Sequence, residues 1–126
     1  MAARQEVLTE IRALGGRLPD VTGVLVATID GLLVAHETRG LEEDTVAAMS
    51  AAQLGLGKQI AREVARGDFL ETVTRTTHGY VAVFAAGHDA LLTVVAGTEL
   101  NLGRLHHEAR PVAARVGAML APATRA

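Results

Sequence analysis

The stretch from Glu42 to Gly67 reads as one long helix with two differently built faces, and any fold for this chain has to accommodate both. On a helical wheel Val46, Met49, Leu56, Ile60 and Val64 form an apolar stripe, while Ala47, Ala51, Gly55, Ala61 and Ala65 spread over the other side with Leu54, Lys58 and Arg62. The large residues are expected to cover the chain's own sheet. Small side chains make poor solvated surface but let another backbone approach closely. Glycine is about 1 kcal/mol less favourable than alanine inside a helix, so Gly55 and Gly57 imply that close approach is wanted. The small face is therefore assigned to an interface, with Ala47, Ala51, Leu54 and Gly55 against a symmetry mate and Lys58 and Arg62 left as candidates for contact with a third protein.

The rest of the composition limits what surrounds that helix. With 126 residues, the chain suits one domain, expected over residues 1–120 with a flexible tail at 121–126. Hydrophobic residues make up 49%, yet there are only two Phe, one Tyr and no Trp, so the core must be built from Val, Leu, Ile and Ala in packed layers of sheet and helix. A formal charge of −2 offers no field for a phosphate backbone, and aromatics to stack on bases are scarce, which argues against a nucleic-acid partner. The absence of cysteine excludes disulfides, thiolate chemistry and cysteine-ligated zinc. No apolar run approaches the roughly 20 residues of a membrane span, so the chain reads as cytoplasmic and not inserted in a membrane.

Along the chain, Val7, Ile11, Leu14 and Leu18 recur at helical spacing, predicting an amphipathic helix over 3–14 ended by Gly15-Gly16. Val24 to Ile29 and Leu32 to Ala35 are apolar runs around Asp30-Gly31, the pair a type I′ hairpin turn favours. Glu42, Glu43 and Asp44 open the long helix and Arg62 and Arg66 close it before Gly67, each sign where the helix dipole favours it. Phe69 to Thr76, Tyr80 to Ala86 and Ala90 to Ala96 then form an antiparallel meander. Leu102, Leu105, Ala109, Val112, Val116 and Leu120 mark a last helix, with a kink or restart expected near Arg110 because Pro111 removes a hydrogen bond and clashes one turn back.

The order is thus α-β-β-α-β-β-β-α, an α/β (α+β) chain. Strands 1, 4 and 5 are nearly continuous apolar runs, as expected when both faces of a sheet are covered, whereas strand 2 fades into His36-Glu37 and strand 3 alternates with Thr, Glu and Arg. With the hairpin and the meander intact, the order 2-1-5-4-3 leaves 2 and 3 as edges. Strand 3 carries only Glu71 and Arg75 as charges among Phe69, Leu70, Val73 and four threonines, and such an edge invites pairing with another chain. Across a two-fold centred near Val73, Glu71 would lie opposite Arg75 of a mate, a favourable cross-strand pair. A homodimer using Phe69, Glu71, Val73 and Arg75 is expected on these grounds.

Gly23-Val24 running into Asp30-Gly31-Leu32-Leu33-Val34-Ala35, the helix with Ala47-Ala48-Met49 and Ala51-Ala52, Gly79-Tyr80-Val81-Ala82-Val83 and Leu91-Leu92-Thr93-Val94-Val95 together resemble the roadblock/dynein light-chain family, especially its stand-alone bacterial members. The resemblance spans nearly the whole chain in the right order. It implies a five-stranded, all-antiparallel sheet with the long helix on one face and both terminal helices on the other. It also implies homodimers in which the long helices lie side by side and strand 3 pairs with its mate. Members of the family serve as non-catalytic platforms or regulators for small Ras-like GTPases, and some bacterial ones stimulate GTP hydrolysis. Pro111 departs from the uninterrupted last helix usual in the family.

Chemistry within this chain finds little support. His36, His78, His88, His106 and His107 are dispersed over an edge strand, turns and divergent helix positions, so no metal site is expected. Ser50, in mid-helix, lacks the sharp strand-to-helix turn of an activated nucleophile. Gly55-Leu56-Gly57-Lys58 lies within a helix without Walker spacing, so no nucleotide or other cofactor is expected. Asp30 reads as a turn residue, and Gln53 falls within the apolar stripe, either bonding the sheet or crossing a dimer axis. Lys58 and Arg62 read as solvated charges or partner contacts, with an arginine-finger role the least favoured. The alternative to a GTPase-binding module is a PAS- or profilin-like sensor of a small ligand, which needs a roomy pocket with several polar groups.

Overall fold

The computed structural model describes residues 2–122 and runs α1 (Ala2–Arg17), β1 (Val21–Thr28), β2 (Leu33–Thr38), α2 (Glu43–Glu63), β3 (Glu71–Thr76), β4 (Gly79–Ala86), β5 (Ala90–Gly97) and α3 (Leu102–Leu120). The five strands form one sheet in the order β2-β1-β5-β4-β3, every neighbouring pair antiparallel, as expected from their composition. Of the tail expected at 121–126, residues 123–126 lie outside the described residues.

Alternation along the central strands divides the core into two layers. Val24, Val26, Ala82, Phe84, Leu92 and Val94 face α1 and α3, meeting Val7, Ile11, Leu14, Leu105, Ala109, Val112 and Val116. Leu25, Ala27, Val83 and Leu91 point the other way and meet α2. Both faces of β1, β4 and β5 are thereby buried, which is why these strands read as unbroken apolar runs.

The face of α2 that meets the sheet is the opposite of the one expected. Ala47 and Leu54 are 0% and 2% exposed, and Ser50 lies buried between them in sequence. Met49, Leu56, Ile60 and Val64 are instead 65%, 57%, 54% and 54% exposed. The physical reason is proximity: Ala47, Ser50 and Ala51 let the helix axis sit close over the sheet, and Leu54 with the half-buried Val46, the one residue of the expected stripe that packs there, fills the space between helix and strands. Ala47 and Leu54 are therefore core residues of the subunit and not available to a mate.

Local signals fared unevenly at the element ends. Helix α1 continues through Gly15-Gly16 to Arg17, and Leu18-Pro19 with Asp20 at φ 66° makes the break, since a residue before proline disfavours the helical region. The β1–β2 turn is not type I′, because Asp30 keeps a negative φ and only Gly31, at φ 90°, is left-handed. Gly31 N–H donates to the Thr28 carbonyl and Thr28 N–H to the Leu32 carbonyl, both at 2.9 Å, as in a type I turn closed by a glycine bulge. Helix α2 ends a turn early, with Ala65 at φ 53° and Gly67 at φ 88° turning the chain. Phe69 and Leu70 precede β3 and do not belong to it.

Helix α3 starts on Asn101, whose side-chain oxygen accepts from Arg104 N–H at 2.9 Å. It runs through Pro111 without a restart. Proline tolerates this position because it lies on the exposed side, where the His107 carbonyl deprived of its partner faces water. Near the end of α3, a Cβ on Gly117 would stand 2.6 Å from the Gly87 nitrogen and 2.7 Å from the Ala86 carbonyl carbon, so glycine is required for α3 to touch the β4–β5 turn. Gly117→Ala should therefore lower stability by about 1–3 kcal/mol in urea denaturation, an overpacking loss. An unaltered denaturation midpoint would contradict this contact.

Candidate functional site

Turning its small face inward leaves α2 presenting a narrow seam of large apolar side chains. Val46, Met49, Gln53, Leu56 and Ile60 follow one another at alternating three- and four-residue intervals, the a/d spacing with which one helix packs along another. Met49, Leu56 and Ile60 are exposed, and Val46 and Gln53 are half-buried on the side toward β3. Between this seam and the strands lies an open apolar groove of about 530 Å³, whose lining includes Val46, Met49, Gln53, Thr74 and Val81. The groove leads to β3, which among the described residues has no partner strand on its outer side.

Gln53 connects the two features. Its Nε2 donates to Thr74 Oγ1 at 2.9 Å, which answers the question of where this polar residue in an apolar stripe points. Beneath the helix, Thr93 Oγ1 donates to Ser50 Oγ at 2.9 Å, and these two are the buried polar residues of the core. Thr93 stands on the central strand with Leu25 and Val83 as cross-strand neighbours, so the bond pins the middle of α2 to the middle of the sheet.

The other residues expected at an interface are distributed as follows. Ala51 is half-buried and stands with Ala48 against the Gly31 turn, whereas Gly55 is exposed with open space around it. Phe69 lies against Gly57, whose absent side chain makes room for the ring. Val73 is half-buried against the layer of α1 and α3, and Arg75 is exposed. Glu71 is not free to meet a mate's Arg75 as expected, because its carboxylate is held by Arg110 of α3 at 2.8 Å and 3.3 Å. That carboxylate raises the Arg110 guanidinium above its ordinary pKa, first through the hydrogen bond and then through its charge. His106 Nδ1, buried without a hydrogen-bond partner, stands 3.6 Å from the same carboxylate while its ring meets Phe84 edge-on.

Lys58 and Arg62 lie apart from the seam, beside Phe69, Gly87 and His88 at the end of α2. Among the described residues, no group of three or more His, Cys, Asp or Glu is placed to hold a metal ion, and no helix is long and apolar enough to cross a membrane. The spacing of the stripe is visible in the sequence but its exposure is not, because large apolar side chains ordinarily go to the core and here small ones take that place.

The family model described as the Roadblock/LC7 domain matches residues 8–96. In three dimensions the chain is similar to MglB with tetrameric arrangement, at 18% identity over 94% of this chain and 90% of that one, with a TM-score of 0.87. It is similar to the Roadblock/LC7 domain from Streptomyces avermitilis at 23% identity over 90% and 96% of the two chains, TM-score 0.83. It is also similar to Myxococcus xanthus MglB at 11% identity over 98% and 93% of the two chains, TM-score 0.85. These likenesses are of fold. Comparison with curated proteins finds no match.

The pinning bond gives a direct test of how α2 is seated. Ser50→Ala or Thr93→Val alone should destabilise the protein by about 1–3 kcal/mol by leaving a buried hydroxyl unpaired, while the double variant should recover part of that loss. Strictly additive losses in chemical denaturation would mean that the two hydroxyls do not interact.

Proposed function

The chain belongs to the Roadblock/LC7 family, and from that membership we propose that it is a non-catalytic, homodimeric module that binds a small Ras-like GTPase and regulates its nucleotide cycle or scaffolds it. The observation that carries the dimer is the exposed seam of α2 lying beside an unpaired strand edge. Val46 and Ile60 are equidistant in sequence from Gln53, and Met49 and Leu56 are nearly so. In an antiparallel helix pair centred on Gln53, Val46 would meet Ile60 of the second copy and Met49 would meet Leu56. Strand β3, centred at Val73 and Thr74, would pair with its own copy about the same axis, because the Gln53–Thr74 bond holds the two midpoints together. One two-fold operation thus covers both the apolar seam and the open edge.

Such a dimer leaves the opposite flank of α2 uncovered, with exposed Ala48, Gly55 and Arg62. That flank, doubled by symmetry, is the surface offered to the GTPase. The similarity to MglB, one structure of which is described as a gliding protein from Thermus thermophilus, favours a bacterial motility or polarity setting for the module.

Sedimentation at micromolar concentration should give twice the 13.1 kDa chain mass. Leu56→Glu, which places a charge in the seam without touching the subunit core, should yield a folded monomer with unchanged far-ultraviolet dichroism. A wild-type monomer, or an undisturbed dimer for Leu56→Glu, would remove the seam from the interface. For the partner, candidate GTPases are co-purified with the chain, and single-turnover GTP hydrolysis is measured with and without it. Faster hydrolysis identifies an activator, tight binding at an unchanged rate a scaffold, and failure of every candidate to bind defeats the reading.

A further inference from the structure

We infer that the cleft at the C-terminal end of α2 is a receptor for an acidic, apolar-flanked segment of a protein partner. The cleft, about 430 Å³, lies between the last turns of α2, the 67–69 stretch and the Gly87-His88 turn. Lys58 and Arg62 stand on one wall and His88 on the other, while Ala61, Phe69 and Ala85 supply an apolar lining. Asp68 is the one carboxylate among the lining residues.

Three observations set this cleft apart from ordinary charged surface. First, Lys58 and Arg62, like Arg66 and Arg104, have no carboxylate within 4.0 Å among the described residues, but these two stand together in one cleft with an apolar lining. Second, the helix dipole accounts for Arg62, which lies in the last turn, but not for Lys58, which is more than a turn from the end at Glu63 and half-buried. Third, the walls are fixed before any ligand arrives. The Phe69 ring fills the space where a Gly57 side chain would stand, and the Gly87 turn is held against Gly117 of α3. A preorganised cleft loses little freedom on binding, and two unpaired cations can make charge-assisted hydrogen bonds to a carboxylate.

The chemistry favours a carboxylate over a phosphate. The C-terminal end of α2 turns its negative dipole to this cleft, which opposes any anion and opposes a phosphate of about two charges more than a carboxylate of one, so the attraction has to come from Lys58 and Arg62. The apolar lining suits a leucine or similar side chain beside the acid. This inference rests on the docking role proposed above and names the chemistry that the partner must present.

The test uses the full chain labelled with ¹⁵N and a capped peptide of alternating glutamate and leucine as the probe. Backbone amides of Phe69, Gly87 and His88 should shift on titration. The apparent affinity should fall at least tenfold in Lys58→Met/Arg62→Met and should weaken as salt is raised. No shift, shifts elsewhere, equal binding of the peptide with glutamine in place of glutamate, or an equal response to inorganic phosphate would each overturn the inference. GTPase binding that survives the double variant unchanged overturns it while leaving the proposed function standing. Localised peptide binding with no GTPase bound supports the cleft and defeats the wider reading.

Discussion

The close seating of α2 on the sheet is the constraint on which the other features depend. Ala47, Ser50 and Ala51 remove side-chain bulk from the underside of the helix, and the Thr93–Ser50 bond fixes where along its length it rests. Because the helix lies so near, the Gly31 turn comes within van der Waals reach of Ala48, and the Phe69 ring fits into the notch at Gly57. Close packing also means there is no room beneath for Met49, Leu56 or Ile60. Their exposure follows from the seating.

The opposite layer is built on different physics. Helices α1 and α3 bury large aliphatic residues against β1, β4 and β5. Ion pairs join them to each other and to both edge strands: Arg17 to Glu108, Arg115 to Glu10, Arg12 to Glu37 of β2, and Arg110 to Glu71 of β3. Solvent-exposed pairs of this kind add little to stability, because water and salt screen them. They tie several charges of that side to one another, while the α2 side turns an apolar seam outward, so the molecule's two faces differ in what they have left to offer.

The sequence allowed the strand order to be deduced because burial on both faces changes composition in a way that burial on one does not. Strand β5 could be placed centrally from Leu91 to Ala96 alone. The orientation of α2 was not deducible by the same reasoning. A helical stripe establishes that two faces differ, but it does not say which is buried, and Leu54 in the small face was the one residue that pointed the right way. Turn and break signals failed where a neighbour overrode them. Helix α1 runs on through Gly15, which lies over Val24, and Pro111 is accommodated because its side of α3 faces water. Glu71 looks in sequence like an edge charge, and its pairing with Arg110 spans a sequence separation of 39, beyond any local pattern.

Gln53 bears most directly on how the two exposed features work together. A seam of aliphatic residues alone would let two helices slide past one another in steps of a turn, since apolar contact is nondirectional. A polar residue at the centre of such a seam penalises every register but the one in which it is satisfied, lowering affinity while raising specificity. Here the amide already has one partner, Thr74 Oγ1 on the edge strand, so its remaining hydrogen-bonding capacity is directed outward beside that edge. Any second copy that satisfied it would bring its own edge strand into line at the same time. In the proposed dimer helix pairing and strand pairing would thereby be one event, and a partner offering only a helix or only a strand would leave the other half of this surface uncovered.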